Sequence, residues 1–169
     1  MAEKTLVIIK PDGVQRGLTG KIISYYEAGG LKITAMKMMQ PSEELIGRHY
    51  PEEDEYLISL GKKSEKAGDK VEDYREQGLM IVRGLRKYVS SGPVVAIIFE
   101  CEDAIKKVRA ITGYTDPASA DKGTIRGDFG EDSILQANRE KRAVRNLIHA
   151  SGNQEEAEKE IALWFPEIG

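Results

Sequence analysis

Leu6-Val7-Ile8-Ile9 and Val94-Val95-Ala96-Ile97-Ile98-Phe99 are apolar runs unbroken by polar residues and rich in β-branched side chains. Short continuous runs of this kind predict strands buried on both faces, over residues 5–10 and 94–99. Leu31, Ile33 and Ala35, followed by Met36, Met38 and Met39, alternate loosely and predict another strand over 31–39. Elsewhere the apolar period is helical. Ile22, Ile23 and Tyr26 share one face of a helix over 19–28 that Gly29-Gly30 ends. Ser42 in Pro41-Ser42-Glu43-Glu44 is a helix N-cap. Leu79, Val82, Leu85, Tyr88 and Val89 repeat at helical spacing until Ser91-Gly92-Pro93 stops them. Ile105, Val108 and Ile111 mark a helix over 104–111. A short last strand, 146–148, leads to a helix capped by Asn153, with Glu156 reaching back as in a capping box and Ala157, Ile161 and Trp164 as its buried stripe.

Three stretches lack such periodicity. Residues 51–78 are dense in charge and poor in large apolar side chains, which predicts a solvent-facing insertion. Residues 112–130 read as a long Gly/Pro/Thr/Asp loop, the kind of segment that carries function in a compact domain. Residues 138–145 are polar and basic. The order of elements suits an α+β fold, a ferredoxin-like βαββαβ sandwich with a four-stranded antiparallel sheet and helices packed on it. One domain over 1–169 is expected, with insertions at about 51–78 and 130–145.

Composition narrows the class. Hydrophobic residues make up 40% and charged residues 31%, as in ordinary globular proteins. The net charge of -3 argues against a dedicated nucleic-acid binder. A sheet that stacks RNA bases needs aromatics, and Leu6 to Ile9 offers none. The single cysteine, Cys101, forms no intrachain disulfide and fits a reducing compartment. No apolar run is long enough to span a membrane, and Met1-Ala2-Glu3-Lys4-Thr5 leads into a strand without a signal-peptide pattern, so a cytoplasmic protein is expected.

The familiar nucleotide signatures fail. The phosphate loop G-x-x-x-x-G-K-[ST] is approached only at Gly20-Lys21, where Gln15 and Ile22 hold the wrong positions, and no G-x-G-x-x-G follows a strand. Other residues carry candidate chemistry. His149 is one of only two histidines, and an imidazole with a pKa near 6.5 is a good neutral nucleophile at cellular pH. Lys10 either marks a strand exit or is held at a sheet edge by the turn Pro11-Asp12-Gly13. Arg126, between Gly123 and Gly127, either pairs with Asp128 or offers its planar fork to a phosphate. Arg109 reads as solvated helix surface, and Thr115 as a turn cap or a phosphate donor. His49, next to Tyr50 at a helix end, reads as a capping or packing histidine. Two histidines are too few for an imidazole-built metal site. Glu160 is either one solvated carboxylate among Glu155, Glu156 and Glu158 or, if its helix packs back on the last strand, the group that orients His149. The basic run Arg139, Lys141, Arg142 and Arg145 reads as a solvated face.

Four segments taken together resemble the signatures of the nucleoside diphosphate kinase family: Lys10-Pro11-Asp12-Gly13-Val14, Ser91-Gly92-Pro93-Val94-Val95, Gly123-Thr124-Ile125-Arg126-Gly127-Asp128-Phe129, and Asn146-Leu147-Ile148-His149-Ala150-Ser151. The resemblance implies that His149 takes the γ-phosphoryl of a nucleoside triphosphate and passes it to a diphosphate in a ping-pong reaction. It implies that Glu160 orients His149 and that Ser151 shares their hydrogen bonds. Lys10, Tyr50, Leu85, Arg109, Thr115, Arg126 and Asn146 would contact the nucleotide. Mg²⁺ would ride on the phosphates with no direct protein ligand. Partners would be ATP, ADP, GDP and similar nucleotides, and the chain would form a homo-oligomer: a hexamer by family resemblance, a tetramer or dimer as alternatives. The family's base-stacking aromatic aligns near Ile81, and Gly152 stands where an acidic residue is common. A rival expectation keeps the fold as a nucleotide-binding regulatory module whose insertions cover the site.

Overall fold

A computed structural model describes residues 1–168. Its strands are β1 (Glu3–Ile9), β2 (Lys32–Met39), β3 (Val94–Cys101) and β4 (Ile148–Ala150). The sheet order is β2-β3-β1-β4, and every pair is antiparallel. The long central ladder runs from Glu3 opposite Cys101 to Ile9 opposite Val95. β4 adds only three residues to it: Ala150 opposite Val7, His149 opposite Ile8, and Ile148 opposite Ile9.

Helices cover both faces of this sheet, which is why β1 and β3 read as unbroken apolar runs. On one face Val7, Ile9, Val95, Ile97 and Phe99 pack against α2 (Thr19–Ala28), α6 (Ala104–Thr112) and α7 (Ile125–Phe129) through Ile22, Tyr26, Val108 and Ile125. On the other, Leu6, Ile8, Ala96 and Ile98 pack against Ile46, Leu57, Val82 and Trp164. These come from α3 (Glu43–His49), α4 (Asp54–Lys66), α5 (Tyr74–Val89) and α9 (Gln154–Trp164). Each fully buried aliphatic side chain contributes about 1.5–3 kcal/mol relative to exposure.

The capping signals act as their chemistry requires. Ser42 Oγ accepts from Leu45 N, and Asn153 Oδ1 accepts from Glu156 N at 2.9 Å. Glu156 reaches back one residue further than a capping box does, to the Gly152 N–H. Arg86 of α5 donates to the Tyr50 and Gly47 carbonyls, closing the C-terminus of α3.

Three expectations need correction. Residues 51–78 are not a solvent-facing excursion. They form α4 and the start of α5, an antiparallel hairpin, and Leu57 is wholly buried in the second core. Charge on one face hid the other, because Leu57 alone in this stretch is a wholly buried large side chain, with Tyr56 and Leu60 only partly covered beside it. Glycine makes the hairpin possible. A Cβ on Gly78 would lie 1.9 Å from Leu57 O, and one on Gly61 would lie 2.2 Å from Tyr74 O. Second, the expected loop 112–130 contains a 3-10 turn at Pro117–Ser119 and then α7, capped by Thr124 Oγ1 on Gly127 N. The segment before the last strand likewise holds α8 (Ile134–Arg139). Third, the last strand is Ile148–Ala150 instead of 146–148, because Leu147 has φ 71° and cannot continue a ladder. Pro11-Asp12-Gly13 also does more than turn the chain: with Pro at the first position it opens the short helix α1 (Pro11–Gln15).

Leu57→Ala is expected to cost about 2–5 kcal/mol of stability in urea unfolding. Gly78→Ala is expected to lower the midpoint as well, by forcing α4 and α5 apart. An unchanged midpoint for both variants would mean the hairpin adds nothing to the core.

Candidate active site

The short ladder with Ile8 turns the His149 ring to the sheet face covered by α3 and α9, where the side chain keeps 20% of its surface exposed. Glu160, on α9, binds His149 Nε2 through one carboxylate oxygen. An anionic carboxylate accepts only, so it selects the tautomer with the proton on Nε2 and leaves the Nδ1 lone pair free. His49, the last residue of α3, packs edge-on against His149 with ring centroids 4.4 Å apart. Its Nδ1 accepts from Trp164 Nε1 at 3.0 Å and stands 3.8 Å from the Glu160 carboxylate. Tyr50 closes the same wall, 4.5 Å from the His49 ring and 6.4 Å from the His149 ring.

The electrostatics are one-sided. Burial lowers the His149 pKa, and the nearby Lys10 and Arg126 lower it further. His49 moves down for the same first reason, burial, with His149 next to it. Both rings are therefore neutral at pH 7. Burial pushes the Glu160 carboxyl up to about 7, against the pull of His49 and of the Ser151 hydroxyl. Ser151 is wholly buried, and its hydroxyl lies 3.5 Å from Leu6 O, a long contact beside the stronger carboxylate acceptor. Lys10 falls to about 7 through burial first and Arg126 second, with Asp12 opposing. Arg126 is pushed down to about 10 by burial, with Arg109 adding to it. Cations so depressed are better off beside an anion.

These cations also brace the backbone in front of His149. Ile148 N donates to Asn146 O at 2.8 Å across a single residue, Leu147, whose φ of 71° completes a tight γ-type turn. Such backbone costs about 1–3 kcal/mol and needs outside support. Lys10 N donates to Leu147 O at 2.8 Å, and Lys10 Nζ to Asn146 Oδ1 at 2.8 Å. Asn146 Nδ2 donates to Thr115 O at 3.0 Å. Arg126 donates to the carbonyls of Asn146, Gly113 and Ile148, and not to Asp128. Asp128 instead accepts from Tyr25 and Gly123. Asp12 accepts from Leu147 N at 3.2 Å and from the Tyr88 hydroxyl.

The fold thus gathers Lys10, Tyr50, Arg126, Asn146, Ser151 and Glu160 around His149. Arg109 is exposed on α6 but near enough to lower both His149 and Arg126. Thr115 is exposed and joins through its carbonyl. Leu85 is half-buried on α5 against the second core. Three neighbours were not singled out as site residues from the sequence. Asp12 read only as a turn residue, His49 as a capping or packing histidine and Trp164 as core. None carries a spacing signal, because each reaches the site from a different element.

Chemically this is a neutral imidazole with one open nitrogen, near buried Lys10 and Arg126, on a two-core α+β sandwich, a chemistry suited to accepting a phosphoryl group. The family model for nucleoside diphosphate kinase matches residues 3–58 and 63–168. A nucleoside diphosphate kinase from Pyrobaculum aerophilum is 47% identical over 175 residues, spanning 98% of this chain and 96% of the relative. One from Archaeoglobus fulgidus is 42% identical, spanning 96% of this chain and 86% of that protein. The crystal structure of an NDP kinase from Pyrobaculum aerophilum superposes with a TM-score of 0.92 at 46% identity, over 98% of this chain and 96% of the other. A Borrelia burgdorferi nucleoside-diphosphate kinase, described as a transition-state mimic with bound vanadate and ADP, superposes at 0.82 with 36% identity, over 97% of this chain and 87% of that one. The chain belongs to the nucleoside diphosphate kinase family.

With both imidazole pKa values lowered, neither ring gains a proton between pH 5 and 8. ¹⁵N-NMR of the labelled protein is expected to show His149 neutral across that range, with its proton on Nε2 above pH 7, where the Glu160 carboxylate accepts it. Titration of His149 near pH 6.5 would contradict the burial argument.

Proposed function

We propose that this nucleoside diphosphate kinase works through His149, which carries the phosphoryl group between two nucleotides at one site. The observation that supports it is the Glu160 bond to Nε2, which leaves Nδ1 as the only free ring nitrogen. Nδ1 attacks the γ-phosphorus of a triphosphate, the N–P bond forms, and the bond to the β–γ bridging oxygen breaks. The diphosphate leaves with that electron pair. The ring keeps its Nε2 proton and becomes cationic, and the Glu160 carboxylate stabilises it. A second diphosphate reverses the step, so two half-reactions share one cradle.

Lys10, Arg109 and Arg126 offset the charge of the moving group, and Asn146 and Tyr50 line the same cleft. Thr115 lies at its exposed rim, and Leu85 on α5 is the contact proposed for the base. Ile81 is aliphatic, so it contributes apolar contact with the base in place of aromatic stacking. Mg²⁺ is the proposed cofactor, carried by the phosphates. Among the described residues, the one cluster of three metal-capable side chains is His49, His149 and Glu160, and its members already bond to one another or to Trp164. The cationic lining suits a phosphate chain that brings its own divalent ion, which screens the phosphate oxygens from one another.

A single domain over 1–169 is supported by one sheet shared between both cores. A homo-oligomer is supported by β2, an edge strand with Met36 and Met38 exposed at 53% and 61%. No helix among the described residues is long and apolar enough to cross a membrane. The lone half-buried Cys101 fits the proposed cytoplasmic location.

Incubation with γ-³²P-ATP alone is expected to label the protein with an acid-labile, base-stable phosphate, which GDP then removes as GTP. His149→Ala should take up no label; label that persists in that variant would assign the nucleophile elsewhere. Above pH 7 Glu160 is ionised and accepts the Nε2 proton, and below it that acceptor is lost. The labelling rate is therefore expected to rise through an apparent pKa near 7, with the acid limb absent in Glu160→Gln.

A further inference from the structure

The turn in front of His149 has four supports, three of which belong to cations or to the turn itself. The fourth is Asp12. Leu147 N–H lies in a wholly buried residue with positive φ, and its acceptor is Asp12 Oδ2 at 3.2 Å. The other Asp12 oxygen takes the Tyr88 hydroxyl from α5. One carboxylate therefore ties α1 and α5 to the residue two positions before the nucleophile.

We infer that Asp12 is a positioning residue for phosphoryl transfer, its carboxylate clamped by Tyr88 and holding the Leu147 amide so that the turn aims His149. The inference rests on the reading of His149 as the phosphoryl carrier.

Two further observations carry it. The packing of α1 on the turn is close: a Cβ on Gly13 would meet Ile9 Cγ2 at 2.9 Å and Leu147 O at 3.5 Å. Asp12 is thus pressed onto the turn by its own helix, with Pro11 fixing the helix start. The ladder holding His149 is also too short to set its position alone, since β4 pairs with β1 at three residues. Without an acceptor, the buried Leu147 N–H is unpaired and the backbone relaxes toward ordinary φ, carrying Ile148 and His149 with it. A displacement of about 1 Å at a reacting group costs on the order of 100-fold in rate.

A different role is available to the same carboxylate. Asp12 lies close enough to Lys10 to favour its ammonium form. Asparagine separates the two: it keeps an oxygen for Leu147 N–H and removes the charge, and the tyrosine hydroxyl can then accept from the amide.

The test is single-turnover phosphorylation of the purified full chain by ATP, with the ATP dissociation constant measured separately, for wild type, Asp12→Ala, Asp12→Asn and Tyr88→Phe. Asp12→Ala is expected to lower the saturating labelling rate by about 10- to 100-fold with the dissociation constant within about threefold of wild type. Asp12→Asn is expected to recover the rate to within about fivefold of wild type, and Tyr88→Phe to lose about two- to fivefold. A wild-type rate in Asp12→Ala, a loss confined to ATP affinity, or an Asp12→Asn variant as slow as Asp12→Ala overturns the inference. If Asp12→Ala does not unfold cooperatively, Tyr88→Phe decides, and a rate equal to wild type in that variant overturns it. Wild-type protein that takes no label overturns the histidine reading and the inference together; labelled wild type with an unaffected Asp12→Ala overturns the inference alone.

Discussion

A three-residue strand cannot aim a side chain by its ladder alone, and His149 stands on such a strand. Everything around it compensates for that shortness. The Glu160 carboxylate fixes the ring from α9. Arg126 holds the carbonyls on either side of Leu147, and the Lys10 amide holds the one between them. The support comes from elements distant in sequence, so His149 is positioned only once the sandwich has closed. A strained turn placed just before so short a strand is where such cross-bracing is most needed.

The braces are themselves unsettled by burial. Lys10 and Arg126 are nearly inaccessible, and both are displaced downward from their ordinary pKa values. Both lie near enough to His149 to lower its pKa as well, so the ring stays neutral between buried basic groups and the Glu160 carboxyl. Their hydrogen bonds to Asn146 and to the turn carbonyls fix the direction of that charge. The same residues hold the backbone before His149 and set its electrostatics, so position and protonation are linked through single side chains.

The sequence was informative where the signal is local and misleading where it is not. The doubly buried strands were legible because β1 and β3 have no polar alternation, and the caps at Ser42 and Asn153 because capping uses short side chains at fixed spacing. Four segments resembling a known family marked the site. The hairpin of α4 and α5 was misread as solvent-facing because one buried leucine and two glycines, Leu57, Gly61 and Gly78, make its interface amid many charges. The last strand was misplaced by two residues because nothing in Asn146-Leu147-Ile148 announces that a leucine takes φ 71°. His49 had no pattern to distinguish it from a packing histidine, and packing against His149 is how it enters the site.

The α4–α5 hairpin is joined to the histidine site by one helix. α5 begins in the hairpin, with Asp73 capping its first turn, and ends beyond Tyr88 and Arg86. Arg86 closes the helix that carries His49 and Tyr50, while Tyr88 reaches the carboxylate under the Leu147 turn. Ala143, in the segment between α8 and β4, packs so closely on Gly84 that a Cβ there would stand 3.1 Å from its amide nitrogen. A helix with contacts at both ends transmits a shift along its length, since packed interiors deform little. Rigidity added by the hairpin at the start of α5 is therefore delivered to the wall around His149, which makes the hairpin part of the support for that ring.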